Sequence, residues 1–246
     1  MRNAIAGAVL ACAQILTGCG GGGGNDAPAS TGTPQGLWQG STNTNRAVTG
    51  IVLSDGTYYV LYSSAGNANV IAGVVQGTGS SDGGTFASNN AKDFNLEGLG
   101  VLPASVSASY TQKQSLAGSI VYNTGSVTFS SSYNAAYETT PTLAAVAGTY
   151  TGQVALSVGI QTATLTVSSG GAIAGIGNGC SFTGTATPRT DGNAYNASIT
   201  FGGAPCFFAN QTFAGIGYFD APNKRLYAAA PNAARTDGVL FVGTKP

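Results

Sequence analysis

Gln161-Thr162-Ala163-Thr164-Leu165-Thr166-Val167 alternates threonine with apolar residues along its whole length. Successive side chains of a β-strand point to opposite faces. Ala163, Leu165 and Val167 therefore share one face, and the threonines take the other. Thr57-Tyr58-Tyr59-Val60-Leu61-Tyr62 has related character, being rich in aromatic and β-branched residues. Turn signals punctuate the chain at Asp55-Gly56, Asp82-Gly83, Asn123-Thr124-Gly125, Gly170-Gly171, Asp191-Gly192 and Asp237-Gly238. Helical periodicity is almost absent. Many short strands separated by turns indicate an all-β chain of antiparallel sandwiches or barrels.

The β body repeats itself. Gly36-Leu37-Trp38-Gln39-Gly40 matches Gly148-Thr149-Tyr150-Thr151-Gly152 as G-x-aromatic-x-G. Leu53-Ser54-Asp55-Gly56 then answers Val167-Ser168-Ser169-Gly170, and Leu116-Ala117-Gly118 answers Phe213-Ala214-Gly215. Three matches in the same order argue for a tandem duplication of a unit near ~100 residues, a normal domain size. The expected fold is thus all-β, with two tandem small antiparallel β-barrel or β-sandwich domains after a disordered tether. Residues 36–138 form β domain 1, residues 139–147 a linker and residues 148–246 β domain 2. Candidate core residues of the first are Trp38, Tyr58, Leu61, Val70, Val74, Phe86, Val106, Ile120 and Phe129. Those of the second are Tyr150, Leu165, Ile173, Phe182, Ile199, Phe207, Ile216, Tyr227 and Phe241. The early G-x-W resembles the first strand of lipocalin and avidin barrels over three residues. Trp38 is read as a plug at one barrel end rather than as a ligand contact.

Near the start, Leu16-Thr17-Gly18-Cys19 follows the apolar residues 4–16 and the single charge of Arg2. The arrangement resembles the lipobox of bacterial lipoproteins, with cleavage before Cys19 and lipid attachment to its sulfur. The apolar stretch is too short to span a bilayer, which takes about 20 residues. Cys12 is a rival acceptor, but cleavage there leaves a shorter apolar region, with bulky Leu10 before it. The resemblance makes residues 1–18 a signal peptide and residues 19–35 a lipidated cysteine with a flexible Gly-rich tether. Residues 20–24 are all glycine. Gly20, rather than Asp, after the cysteine implies the outer membrane. The polyglycine tether is similar to that of surface lipoproteins such as transferrin-binding protein B and factor H-binding protein, which carry small β-barrels. None of their binding residues can be carried over.

Composition narrows the function classes. Only 7% of residues are charged and histidine is absent, against roughly 25% charged in typical soluble domains. Loss of Arg2 with the leader leaves a slightly acidic body, so no basic field exists to attract nucleic acid. Cys180 and Cys206 remain once Cys12 and Cys19 are assigned. In the oxidising compartment that the lipobox implies, they read as a disulfide. It would close a loop of about 25 residues and stabilise by roughly 3 kcal/mol. A metal or redox pair would need CxxC spacing or a histidine partner.

No catalytic constellation emerges. Without histidine there is no Ser-His-Asp triad, and S-x-x-K does not occur. Asp93 and Glu97 are the nearest carboxylate pair, and paired carboxylates can hydrolyse glycosides when about 5–10 Å apart across a cleft. Lys92-Asp93-Phe94-Asn95-Leu96-Glu97 is instead read as a solvated loop. Asp82-Gly83-Gly84 and Asp237-Gly238 lack the oxygen clusters that calcium needs and are read as turns. No cofactor is expected. The aromatic clusters Tyr58, Tyr59, Tyr62 and Phe207, Phe208 should each send one member inward and leave another outside, where it can contact a protein or a glycan. The expected function is a non-enzymatic binding lipoprotein of the outer membrane or cell surface, anchored through its N-terminal lipid. A periplasm-facing structural or assembly lipoprotein is the alternative, and a hydrolase with an unrecognised site the second.

Overall fold

The computed structural model describes residues 32–246. The leader, Cys12, the lipobox with Cys19 and the polyglycine lie outside the described residues. The first barrel runs through β1 (Gly36–Thr42), β2 (Ala47–Val52), β3 (Thr57–Ser64) and β4 (Asn67–Thr78). It continues through β6 (Thr85–Asn95), β7 (Gly100–Thr111), β8 (Ser115–Tyr122) and β9 (Gly125–Asn134). A short β5 (Ser80–Asp82) folds onto β6. Each strand pairs antiparallel with the next, β4 pairs with β6, and β9 returns to β1, so the ring closes. The second barrel has eight strands. They are β10 (Gly148–Leu156), β11 (Gly159–Val167), β12 (Ala172–Gly177), β13 (Cys180–Pro188), β14 (Tyr195–Phe201), β15 (Thr212–Asp220), β16 (Arg225–Pro231) and β17 (Gly238–Thr244). β17 closes onto β10. Of the two expected architectures the chain adopts barrels. Closure leaves neither sheet a long free edge to recruit other chains.

The G-x-aromatic-x-G segments are the opening strands of the two barrels, β1 and β10. Trp38 Nε1 donates to the carbonyl of Pro34 (2.8 Å), and the Tyr150 hydroxyl donates to that of Val146 (2.6 Å). Both bonds reach four residues back, so each aromatic plugs its barrel and fastens the incoming chain. The second glycine of each segment faces the closing strand at close quarters. A Cβ on Gly40 would lie 2.0 Å from the Ser130 carbonyl oxygen, and one on Gly152 2.1 Å from that of Val242. The segments 53–56 and 167–170 also correspond, as the turns after each barrel's second strand. The third match does not: Leu116 lies in the seventh strand of its ring and Phe213 in the sixth of the other.

The barrels meet wall to wall. Leu37, Ile51, Tyr59 and Val74 on the outside of the first pack with Ala155, Tyr218, Ala229, Leu240 and Val242 of the second. Of the candidate core residues, Leu61, Val74, Ile216 and Tyr227 belong to this seam rather than to a barrel interior, because their strand parity turns them outward. Polar clasps flank the seam. An Arg235 Nη donates to the carbonyls of Gln76 (2.7 Å) and Asn90 (2.8 Å), and Ser54 bonds to Asp191. Residues 32–35, the last of the expected tether, lie against the body. Pro34 is buried, Tyr110 bonds to the Gly32 carbonyl, and the Gln35 amide reaches the Asp191 carbonyl (2.6 Å).

Candidate functional site

The two interiors differ. In the first barrel the large inward side chains gather towards the ends. Trp38, Tyr58, Phe86 and Tyr110 fill one end, and Tyr62 and Tyr122 stand at the other. Between them the inward positions include Gly50, Val60, Val75, Ala91 and Val106. Small residues around a ring of eight strands leave space, and a cavity of about 280 Å³ results. It opens between Thr42, Arg46, Asn95 and Leu99, at the end opposite Trp38. In the second barrel Phe182, Phe201, Phe208, Phe213 and Phe241 occupy the interior, and only about 70 Å³ remains. A one-turn helix, α1 (Leu143–Val146), lies over one end, where the Tyr195 hydroxyl holds the Thr142 carbonyl (2.9 Å). Phe201, Phe208 and Phe213 close the other, with ring centres 4.7–5.7 Å apart.

A polar group lines the mouth of the first cavity. The Asp93 carboxylate accepts from the Tyr62 hydroxyl (2.7 Å) and the Tyr122 hydroxyl (2.9 Å), and Asn95 donates to the Tyr62 oxygen (3.2 Å). Arg46 pairs with Glu97 (2.6 Å) and lies over the Tyr62 ring (5.5 Å). Gly73 makes room, since a Cβ there would lie 2.2 Å from the Tyr62 oxygen. Burial pushes the Asp93 carboxyl above its ordinary range, against the two phenols and Arg46, which pull it down. Burial and then the Asp93 charge raise both Tyr62 and Tyr122, so the phenols stay protonated and donate.

Asp93 is therefore not in a solvated loop. It is 4% exposed on β6 and faces the cavity, while Glu97 lies on the exposed turn beyond. The cause is a register shift between Ser88 and Ala91. Phe86 and Ser88 point inward before it, and Ala91, Asp93 and Asn95 after it, so the inward parity changes within one strand. Among the described residues no group of three or more His, Cys, Asp or Glu gathers as metal ligands would.

The aromatic candidates separate. Tyr58 is inside the first barrel, bonded to Ser88 (3.0 Å). Tyr59 points outward but is covered by the second barrel. Tyr62 is at the cavity mouth. Phe208 is buried in the second barrel, and Phe207, placed above among the core residues, is 56% exposed. The connection between β14 and β15 carries both phenylalanines, and the Cys180–Cys206 disulfide ties it to the start of β13. Phe207, Pro205, Val158 and Ile160 line one groove at this end whose lining includes no charged residue, and Ile176 is exposed on neighbouring β12. Val158, Ile160 and Ile176 were not singled out by the sequence. The signal was available in Val158-Gly159-Ile160, a hairpin turn carrying aliphatic rather than polar residues.

No protein-family model and no curated protein matches the chain. Among solved structures, isotype 1 transferrin binding protein B from serogroup B Neisseria meningitidis is similar over 82% of this chain and 65% of its own, at 11% identity and a TM-score of 0.32. A mutant of the Haemophilus parasuis transferrin binding protein B, a vaccine antigen, covers 82% and 51%, at 13% identity and 0.29. HpuA from Kingella denitrificans, solved in complex with human haemoglobin, covers 89% and 90%, at 13% identity and 0.30. The chain thus spans less than two thirds of the two transferrin binding proteins. The barrels are established by their own strand pairing, and these likenesses assign no residue a role.

Proposed function

We propose that the chain is a lipid-anchored envelope protein that binds a protein partner without chemistry, through an apolar groove at one end of its second barrel. The observation that carries this is the exposed apolar group Val158, Ile160 and Phe207, presented on a disulfide-tied loop over a filled core. Exposed apolar surface of this kind marks interaction sites, and aromatic residues contribute much of the binding energy at such contacts. The filled core and the Cys180–Cys206 bond hold the surface in shape, which lowers the ordering cost of association. Tyr62 belongs to a different site, and a glycan remains the alternative partner for exposed Phe207. The hydrolase reading is disfavoured because both carboxylates are committed, Asp93 to two phenols and Glu97 to Arg46.

The lipobox resemblance supports anchoring at Cys19 and Gly20 supports the outer membrane, and protease shaving of intact and lysed cells tests which face the body occupies. Digestion in intact cells places it outside. Protection there, with digestion after lysis, favours the periplasmic structural alternative. The partner surface is tested by comparing wild type with Phe207→Ser/Val158→Ser for one defined protein captured from envelope or host extracts. Loss of that protein with the fold intact supports the reading, whereas equal capture by the variant excludes this end of the barrel.

A further inference from the structure

The cavity of the first barrel combines apolar walls with a carboxylate that lacks a counter-ion. Asp93 is almost wholly buried, yet among the described residues no cation lies within 4 Å of it. Arg46, the nearby base, is engaged by Glu97 and by the Tyr62 ring. Two phenol hydrogen bonds offset part of the cost of burying a charge, but a buried carboxylate is ordinarily ion-paired. With Arg46 matched to Glu97, the mouth carries one negative charge in excess when Asp93 is ionised. Each Asp93 oxygen accepts one phenol and retains a free lone pair. Tyr62 and Tyr122 also line the cavity.

We propose that the first barrel binds a small apolar amine, with its hydrocarbon body among Val60, Val75 and Val106 and its ammonium group on Asp93. An anionic head would meet the excess negative charge and find Arg46 already engaged. An uncharged head would leave the carboxylate without a counter-ion. A cavity of about 280 Å³ is near the lower end for small-molecule sites. It has room for one short chain rather than the paired chains of a membrane lipid. The ligand surface lies on the other barrel from the partner surface proposed above, and the two stand or fall separately.

Trp38 supplies the readout, being the single tryptophan of the chain and part of the cavity floor. The full chain in phosphatidylcholine vesicles, which do not fluoresce, is titrated with octylamine, octanol and octanoate. The expected result is a Trp38 emission change with all three. Octylamine should saturate at about tenfold lower concentration than octanol, and octanoate should be weakest. Asp93→Asn should bring octylamine and octanol together by weakening octylamine. Octanoate binding as well as octylamine, or an amine advantage that survives Asp93→Asn, overturns the head-group assignment and leaves the cavity as a site. No emission change with any of the three overturns the cavity as a ligand site. The wild-type ranking decides the head group even if Asp93→Asn fails to fold.

Discussion

The two barrels share strand number, closure and an opening motif, yet one is hollow and the other full. Backbone topology is therefore not what decides the interior. Between its ends the first barrel presents valine, alanine and glycine, whereas five phenylalanines occupy the interior of the second. Eight strands enclose just enough room for side chains or one small ligand, so residue size at a few inward positions selects between the two outcomes. The two proposed sites separate along the same line. The full barrel supports a rigid outer surface, and the hollow one offers an inner surface.

Core truncation should show the contrast most strongly. Phe213→Ala removes a ring that is 1% exposed and touches Phe201 and Phe208, and should cost about 4 kcal/mol in denaturant unfolding. Phe129→Ala, half-buried on the cavity wall, should cost only about 1–2 kcal/mol, because the space beside it is already open. Equal losses would mean that the first barrel is packed as tightly as the second. Next in size is the disulfide. Cys180→Ser/Cys206→Ser releases the loop between residues 26 apart in the chain and should lose about 3 kcal/mol. Amide hydrogen exchange should rise in residues 202–211, with the first barrel unchanged.

Enlarging a small inward residue should separate the barrels by sign. Val106→Leu should cost under about 1 kcal/mol or stabilise, since the cavity accepts the extra carbon. Ala163→Leu, 2% exposed in the full barrel, should cost about 1–3 kcal/mol by overpacking. Thermal melts of the two variants decide the point.

The smallest effect is electrostatic and has opposite signs at two carboxylates. Asp191 is drawn down to about 2 by Arg189, with help from Ser54. Its contribution is full above the ordinary aspartate range and is lost as pH falls through about 2. Asp191→Asn should therefore weaken the protein at pH 6 and lose that penalty in acid. Asp93 is shifted upward by burial, so its ionisation works against folding. Asp93→Asn should gain on wild type as pH rises through and above the ordinary aspartate range, and the gain should vanish below it. Urea midpoints across pH 2–8 test both.

Much of the fold was legible locally. The alternation at 161–167 became β11, and all the glycine turn signals fall at the junctions of consecutive strands. The seam was missed although a signal existed. Val70-Ile71-Ala72-Gly73-Val74-Val75 and Val239-Leu240-Phe241-Val242 are unbroken apolar runs, as expected of strands buried on both faces. One face of each is inside a barrel and the other against its neighbour. Asp93 was not legible, because strand parity counted from Phe86 puts Phe94 inside and Asp93 outside. The register shift reverses that assignment, and Phe94 goes to the seam instead. A bulge has no reliable mark in sequence, since it is chosen by what two faces must bury at once.

The first barrel receives the chain at its plugged end, where Pro34 and Gly32 are fastened, and opens at the other. Orientation follows from this polarity. Gly32 lies at the closed floor, and the mouth lies a full strand length away, about 25 Å. A pull along the chain runs first into the floor and into β1, which is bonded along both sides to β2 and β9. Load applied at Gly32 is thereby shared by two strands before it can reach the rim of the cavity.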